Sequence, residues 1–236
     1  MVVVPSNISD IEPYQGGKPI KEVAREIGIP ESKIIKLASN ENPLGISPLA
    51  QEAIKNVLEE GSRYPDGNGY YLKQEISKKF SIDSNRIILG NGSNDILEIA
   101  ARTVLSPGDE VIYSEHAFAV YEIVTKSNGA VGIVAPAKDY CHNLQNFLSL
   151  ITNKTKLIFI ANPNNPTGTL IERLTLKNFI SQVPESILVV LDEAYDEYLD
   201  DDLKSVAFSW LAEYKNILIS RSFSKAYGLA GLRVGY

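Results

Sequence analysis

Ile187-Leu188-Val189-Val190-Leu191-Asp192-Glu193-Ala194-Tyr195 sets five apolar residues in a row directly before a carboxylate. A run that short, with no alternation of polar and apolar positions, predicts a strand buried on both faces, as in a parallel sheet covered by helices. Working outward, runs of the same kind stand at Leu157–Ile160, Val131–Val134, Val111–Tyr113 and Ile87–Leu89 upstream, and at Ile217–Ile219 downstream. Between them lie apolar residues at helical spacing, such as Ile96, Leu97, Ala100, Ala101 and Val104. The alternation predicts an α/β domain: a mainly parallel sheet with helices on both faces.

Upstream of the alternation, Ser47–Glu60 reads as a helix. Ser47 suits its cap, Pro48 the first helical position and Gly61 the exit, with an apolar face of Leu49, Ala53, Ile54, Val57 and Leu58. Residues 1–45 are expected to wrap the main domain or to contribute to a smaller one, and residues 46–236 to form the main domain. Leu232–Tyr236 reads as the start of an apolar element, so the chain is expected to stop inside that domain, with the small domain incomplete.

The chain has 236 residues, a net charge of −6, 44% hydrophobic and 22% charged residues, the balance of a globular protein. The acidic balance gives no electrostatic reason to expect nucleic acid or an anionic membrane as partner. Cys141 is the single cysteine and His116 and His142 the two histidines, which excludes an intrachain disulfide and argues against a metal cluster. No apolar run reaches membrane-spanning length, and a cytoplasmic location is expected.

Open parallel sheets bind ligands at the carboxyl ends of their strands, and four polar motifs stand there. Gly90-Asn91-Gly92-Ser93-Asn94-Asp95 opens a helix, where free N–H groups receive anions. A dinucleotide fingerprint would want glycine where Asp95 stands. Asn162 to Gly168 is an Asn/Pro/Gly turn in which Pro166 holds Asn165 extended. Asp192 ends a buried run and needs a partner for its charge, whether a ligand, a structural ion pair or a helix cap. Asp200-Asp201-Asp202 reads as a solvated loop. Ser222-Phe223-Ser224-Lys225, with Arg233 beyond it, offers hydroxyls and a guanidinium to a phosphate and an amine to an aldehyde.

The set is complementary to one molecule, pyridoxal 5′-phosphate. Ser93, Asn94, Ser222, Ser224 and Arg233 can hold its phosphate, and Lys225 its aldehyde carbon. Asp192 can hold its ring nitrogen protonated, and Asn165 and Tyr195 can bond its phenolic oxygen.

The order of these motifs resembles the fold-type I aminotransferases, and within them the histidinol-phosphate aminotransferase family. The resembling segments are Leu37–Gly45, Arg63–Asp66, Gly90–Asp95, Asn162–Gly168, Leu191–Tyr195 and Arg221–Tyr236. The resemblance implies amino transfer between glutamate and imidazole-acetol phosphate, giving histidinol phosphate and 2-oxoglutarate, with Lys225, Asp192 and Tyr195 as catalytic residues. It implies that Phe118, or Tyr121 in second place, stacks on the cofactor ring and that Asn40 meets substrate. It also implies a homodimer in which Tyr64 reaches the neighbouring subunit's cofactor phosphate, and an arginine beyond these 236 residues that grips the substrate's anionic group. Competing readings keep the fold and change the chemistry: an aromatic or aspartate aminotransferase, a lyase or decarboxylase, or a non-catalytic cofactor-binding module. The last would expect a helix-turn-helix at the N-terminus, and residues 1–45 offer none.

Overall fold

The computed structural model describes residues 2–236. Five strands, β1 (Glu110–Ser114), β2 (Val131–Ala135), β3 (Thr155–Ala161), β4 (Leu188–Asp192) and β5 (Ile217–Ser220), form one sheet in the order β2-β1-β3-β4-β5. Every neighbouring pair is parallel. The α-helices are α1 (Ser6–Ser9), α2 (Ile20–Ile27), α3 (Pro48–Val57), α4 (Tyr70–Phe80), α5 (Ser93–Val104), α6 (Val120–Ser127), α7 (Leu144–Ser149) and α8 (Arg173–Ile180).

Because successive side chains of a strand point to opposite faces, the unbroken apolar runs feed two cores at once. Leu157 and Phe159 of β3 join Val190 of β4 with Leu97, Ala100, Tyr121 and Val124 of α5 and α6. Ile158 and Ile160 join Val189 and Leu191 with Phe147, Leu176 and Phe179 of α7 and α8 on the other face. The fold is α/β, a parallel sheet with helices on both faces. None of the described helices is long and apolar enough to cross a membrane.

The register decides where the motifs meet. Ala161 of β3 lies opposite Asp192 of β4, and Asp192 opposite Ser220 of β5, so three loops leave the sheet at one level.

Three expectations from sequence are corrected. Ile87–Leu89 is no ladder strand. It runs extended into Gly90, whose only bridge is an antiparallel one to Gly235, and Gly235 also bridges Ser222. Its apolar run packs instead: Ile87 forms a small core with Ile76 and Tyr236, close to Phe80, Phe208 and Phe223. Secondly, the helix from Pro48 does not bury its apolar face: Leu49, Val57 and Leu58 are exposed and only Ile54 is half-buried. Thirdly, Ser47 and Gly61 stand at the two ends of the helical segment as expected, but Ser47 makes no capping hydrogen bond and Gly61, with a φ of −59°, is outside the left-handed region.

Residues before 46 lie against the sheet domain at several points. Asn7 Nδ2 donates to the Lys126 carbonyl of α6 at 3.1 Å, Tyr14 meets Phe118 edge-on, and Asn42 Nδ2 donates to the Ala226 carbonyl at 2.9 Å.

Candidate active site

At the carboxyl ends of β3, β4 and β5 lies a cavity of about 610 Å³, within the range of small-molecule sites. Ser93, Asn94, Phe118, Asn165, Asp192, Tyr195, Ser222, Ser224, Lys225, Arg233 and Asn40 all line it. Tyr64 does not; it is fully exposed on the surface. Tyr121 does not either. It is fully buried, stacked on Phe159 at 4.6 Å between ring centroids, which corrects its second-place assignment as a ring-stacking residue of the cavity.

One end of the cavity is an anion cradle. α5 begins at Ser93, and Gly92 before it has a φ of 87°, a backbone that only glycine adopts without strain. A side chain there would also strike the Arg233 guanidinium. Asp95 Oδ2 accepts from the Asn91 N–H at 3.0 Å, so the carboxylate that broke the dinucleotide fingerprint shapes the turn instead. Arg233 is itself held at a φ of 53°. Its guanidinium donates to Ser224 Oγ (3.3 Å), the Ala230 carbonyl (3.2 Å) and the Asn91 carbonyl (3.3 Å), which ties the Ser222–Arg233 loop to the start of α5. Ser222 Oγ accepts from the Ser224 N–H at 3.0 Å. A strained non-glycine residue pinned by three hydrogen bonds at a helix start is a site prepared for an anion.

Asp192 is buried, and burial pushes its carboxyl up to about 6, against donation from Tyr121 and the Ala194 N–H and the charge of Lys225. Tyr121 donates to Oδ2 at 2.9 Å, while Oδ1 is buried with no hydrogen-bond partner. Against the alternatives of a ligand, a structural ion pair or a helix cap, the side-chain partner of this carboxylate within the chain is a neutral phenol.

Lys225 is half-buried, its amine donating to the Ser39 carbonyl at 3.3 Å and lying 5.6 Å from the Tyr195 ring centre. Burial and then the charge of Arg233 lower its pKa, with Asp192 and Glu41 opposing. Asn40 Nδ2 donates to the Tyr195 hydroxyl at 2.8 Å, leaving the phenolic proton free for another acceptor. Asn165 is presented by its neighbours. Asn162 exchanges hydrogen bonds with Ile171 (3.1 and 2.8 Å), and Asn164 donates to the His116 carbonyl at 2.8 Å. Both Asn-Pro bonds of this turn are cis.

Two features escaped sequence reasoning. Tyr14, Ser39 and Glu41, from the N-terminal segment, also line the cavity. Behind it, Arg221 is buried among carboxylates: Glu193 Oε2 at 2.6 Å, Asp196 Oδ2 at 2.7 Å and Glu197 Oε1 at 3.1 Å. Its guanidinium also lies 4.8 Å from the Phe208 ring centre. This cluster clamps the Asp192–Tyr195 loop to the Ser222–Lys225 loop.

A family model described as Aminotransferase class I and II matches residues 32–236. The chain belongs to that family. Among class I and II aminotransferases it is 60% identical over 232 residues to the histidinol-phosphate aminotransferase of Methylobacillus flagellatus, covering 98% of this chain and 63% of that protein. It is 53% identical over 234 residues to histidinol-phosphate aminotransferase 2 of Nitrosospira multiformis, covering 99% and 60%. The crystal structure of histidinol-phosphate aminotransferase from Sinorhizobium meliloti in complex with pyridoxal-5′-phosphate superposes with a TM-score of 0.88 at 28% identity, over 98% of this chain and 61% of that one. Aspartate aminotransferase of Thermus thermophilus, 20% identical with a TM-score of 0.85, shares the fold. The chain thus spans about three fifths of the length of the curated relatives it matches.

Proposed function

We propose that the protein is a pyridoxal-phosphate-dependent aminotransferase of L-histidine biosynthesis, moving an amino group between L-glutamate and imidazole-acetol phosphate to give L-histidinol phosphate and 2-oxoglutarate. The observation that carries the cofactor assignment is the buried, unpartnered Oδ1 of Asp192 in a cavity that also holds the Lys225 amine and the Ser93–Arg233 anion cradle. These residues fit the group: a cationic donor set for its phosphate, a carboxylate for its ring nitrogen, an amine for its aldehyde. The substrate assignment is supported by the similarity to relatives named histidinol-phosphate aminotransferase.

When bound, pyridoxal phosphate supplies an electron sink next to the substrate's α-carbon. The chain's residues do the rest. Arg233, Ser222, Ser224, Ser93 and Asn94 would anchor the phosphate; the Phe118 ring lines one side of the cavity; Asn165 and the Tyr195 hydroxyl would orient the phenolic oxygen. Asp192 would hold the proton on the ring nitrogen. Lys225 Nζ would hold the aldehyde carbon until the substrate's amino group displaces it, and the freed amine, its pKa lowered by burial, would then move the proton at the α-carbon. Asn40, at hydrogen-bond distance from Tyr195, borders the substrate's side of the cavity.

The test is steady-state turnover of the full-length protein with histidinol phosphate, phenylalanine or aspartate as donor and 2-oxoglutarate as acceptor. A kcat/KM for histidinol phosphate at least about 100-fold above the others is expected, since a site built to bond a polar group rejects analogues lacking it. Preference for phenylalanine or aspartate, or carbon dioxide release without an acceptor, would sink the substrate assignment.

We further propose a homodimer. The exposed apolar residues of α3, Leu49, Val57 and Leu58, lie close in sequence to Leu44 and Tyr64, also exposed, and an apolar face of that extent calls for a covering partner. A second copy covering it would bring Tyr64 toward the neighbouring cavity. Sedimentation equilibrium of the full-length protein should give twice the monomer mass at micromolar concentration, and replacing both Leu49 and Leu58 with Asp should give monomer.

A further inference from the structure

The Tyr121 hydroxyl reaches Asp192 from α6, on the helical layer beneath the sheet, and the bond closes at 2.9 Å between two fully or nearly fully buried groups. Among the described residues no other side chain donates a hydrogen bond to that carboxylate, and Oδ1 is left without a partner. A carboxylate that rotates about its last bond presents neither oxygen reliably. Fixing one oxygen fixes the other. Tyr121 cannot itself drift, because its ring is sandwiched flat on Phe159, with a 3° angle between planes, and meets Phe118 edge-on.

We propose that Tyr121 is a positioning residue: its hydroxyl holds Asp192 ionised and turned, so that Oδ1 is the oxygen offered to the cofactor's ring nitrogen. The inference rests on the cofactor assignment above for its last clause and on the hydrogen bond alone for the rest.

The electrostatics agree. Burial, and then the charge of Asp192, keep the Tyr121 phenol protonated far above its ordinary range, so it remains a donor at any physiological pH. The titratable groups facing Asp192 are Tyr121 from α6, Tyr195 from its own loop and Lys225 from the loop after β5. Of these, Tyr121 opposes the effect of burial most strongly. Without it the carboxylate keeps the burial and loses its principal donor. It then takes up a proton at higher pH, and a protonated Asp192 cannot hold the ring nitrogen charged.

Tyr121→Phe removes one oxygen and keeps the stacked ring. In cofactor-free full-length protein carrying carboxyl-labelled aspartate, the Asp192 resonance, assigned by its loss in Asp192→Asn, should titrate about one pH unit higher in Tyr121→Phe than in the wild type. The affinity for pyridoxal phosphate should fall about tenfold with Tyr121→Phe in the wild type and by less than about twofold in the Asp192→Asn background, because the pair then has nothing left to couple. An unchanged Asp192 midpoint, or an equal loss of affinity in both backgrounds, overturns the proposal. A wild-type protein that takes up no pyridoxal phosphate overturns the cofactor assignment and the orienting clause with it, while the titration still decides whether Tyr121 governs the charge of Asp192.

Discussion

Lys225→Ala is expected to abolish covalent retention of pyridoxal phosphate and to lower turnover of the full-length protein by roughly 10,000-fold. In the proposed reaction the lysine has two jobs that no neighbour can take over. Its amine would hold the aldehyde carbon, and it would move a proton at the substrate. Arg233 shares the cavity but cannot give up its proton, and the Tyr195 phenol is pushed to a higher pKa, chiefly by burial, which makes it a poor base. The fold should survive the change, because the Lys225 side chain donates only to the Ser39 carbonyl, at 3.3 Å. The check is a visible absorbance band with pyridoxal phosphate, its fixation to the protein by borohydride, and kcat for wild type and variant side by side. A variant that still fixes the cofactor on reduction, or turns over within tenfold of wild type, would falsify the role given to Lys225.

The largest effect on stability is expected from Arg221→Met. Arg221 is 4% exposed and meets Glu193 and Asp196, 1% and 2% exposed, together with Glu197. Burial works against the charge on Arg221, but the three carboxylates outweigh it and raise its pKa. Removing the cation leaves buried carboxylates with no counter-charge, Glu193 keeping only the Ser205 hydroxyl, which costs about 3–5 kcal/mol. The pH dependence has a definite sign. Burial raises Glu193 from its ordinary 4.5 to about 7, so between those values the folded protein binds more protons than the unfolded one, and the Glu193 contribution to stability falls as pH rises. The charge of Arg221 opposes that rise, so without it the Glu193 carboxyl moves higher still. The deficit of the variant should therefore be greatest near pH 8 and shrink toward pH 5.5. Urea unfolding of the cofactor-free protein at both pH values measures it. A deficit below about 1 kcal/mol at pH 8, or one that grows on acidification, would rule out an unpaired-charge origin.

Much of this was legible in the residues alone. All five strands of the sheet lie where apolar runs predict them, because a strand buried on both faces must be apolar at every position and few other elements require that. The polar motifs were legible for a related reason: asparagine, proline, serine and lysine directly after such a run have no role in the sheet's core. The misreadings fall where a local rule met a distant partner. Ile87–Leu89 has the composition of a ladder strand, yet the only backbone pairing available to its end comes from Gly235. The helix face of Leu49, Val57 and Leu58 has the periodicity of a buried one, but none of the described residues covers it.

Sequence by itself determined the α/β alternation, the placing of polar motifs at strand ends and the complement of donors, acid and amine that pyridoxal phosphate requires. These are properties of short segments, set by side-chain periodicity and backbone preference. Only the tertiary structure decided which groups meet. Tyr121 finds Asp192 because α6 packs on the face of the sheet that carries Phe159 and Val190. Arg221 finds Glu193 because β4 and β5 are in register at Asp192 and Ser220. Tyr14 reaches the cavity because the N-terminal segment lies across α6. Such pairings depend on distances between elements far apart in the chain, which no local pattern encodes.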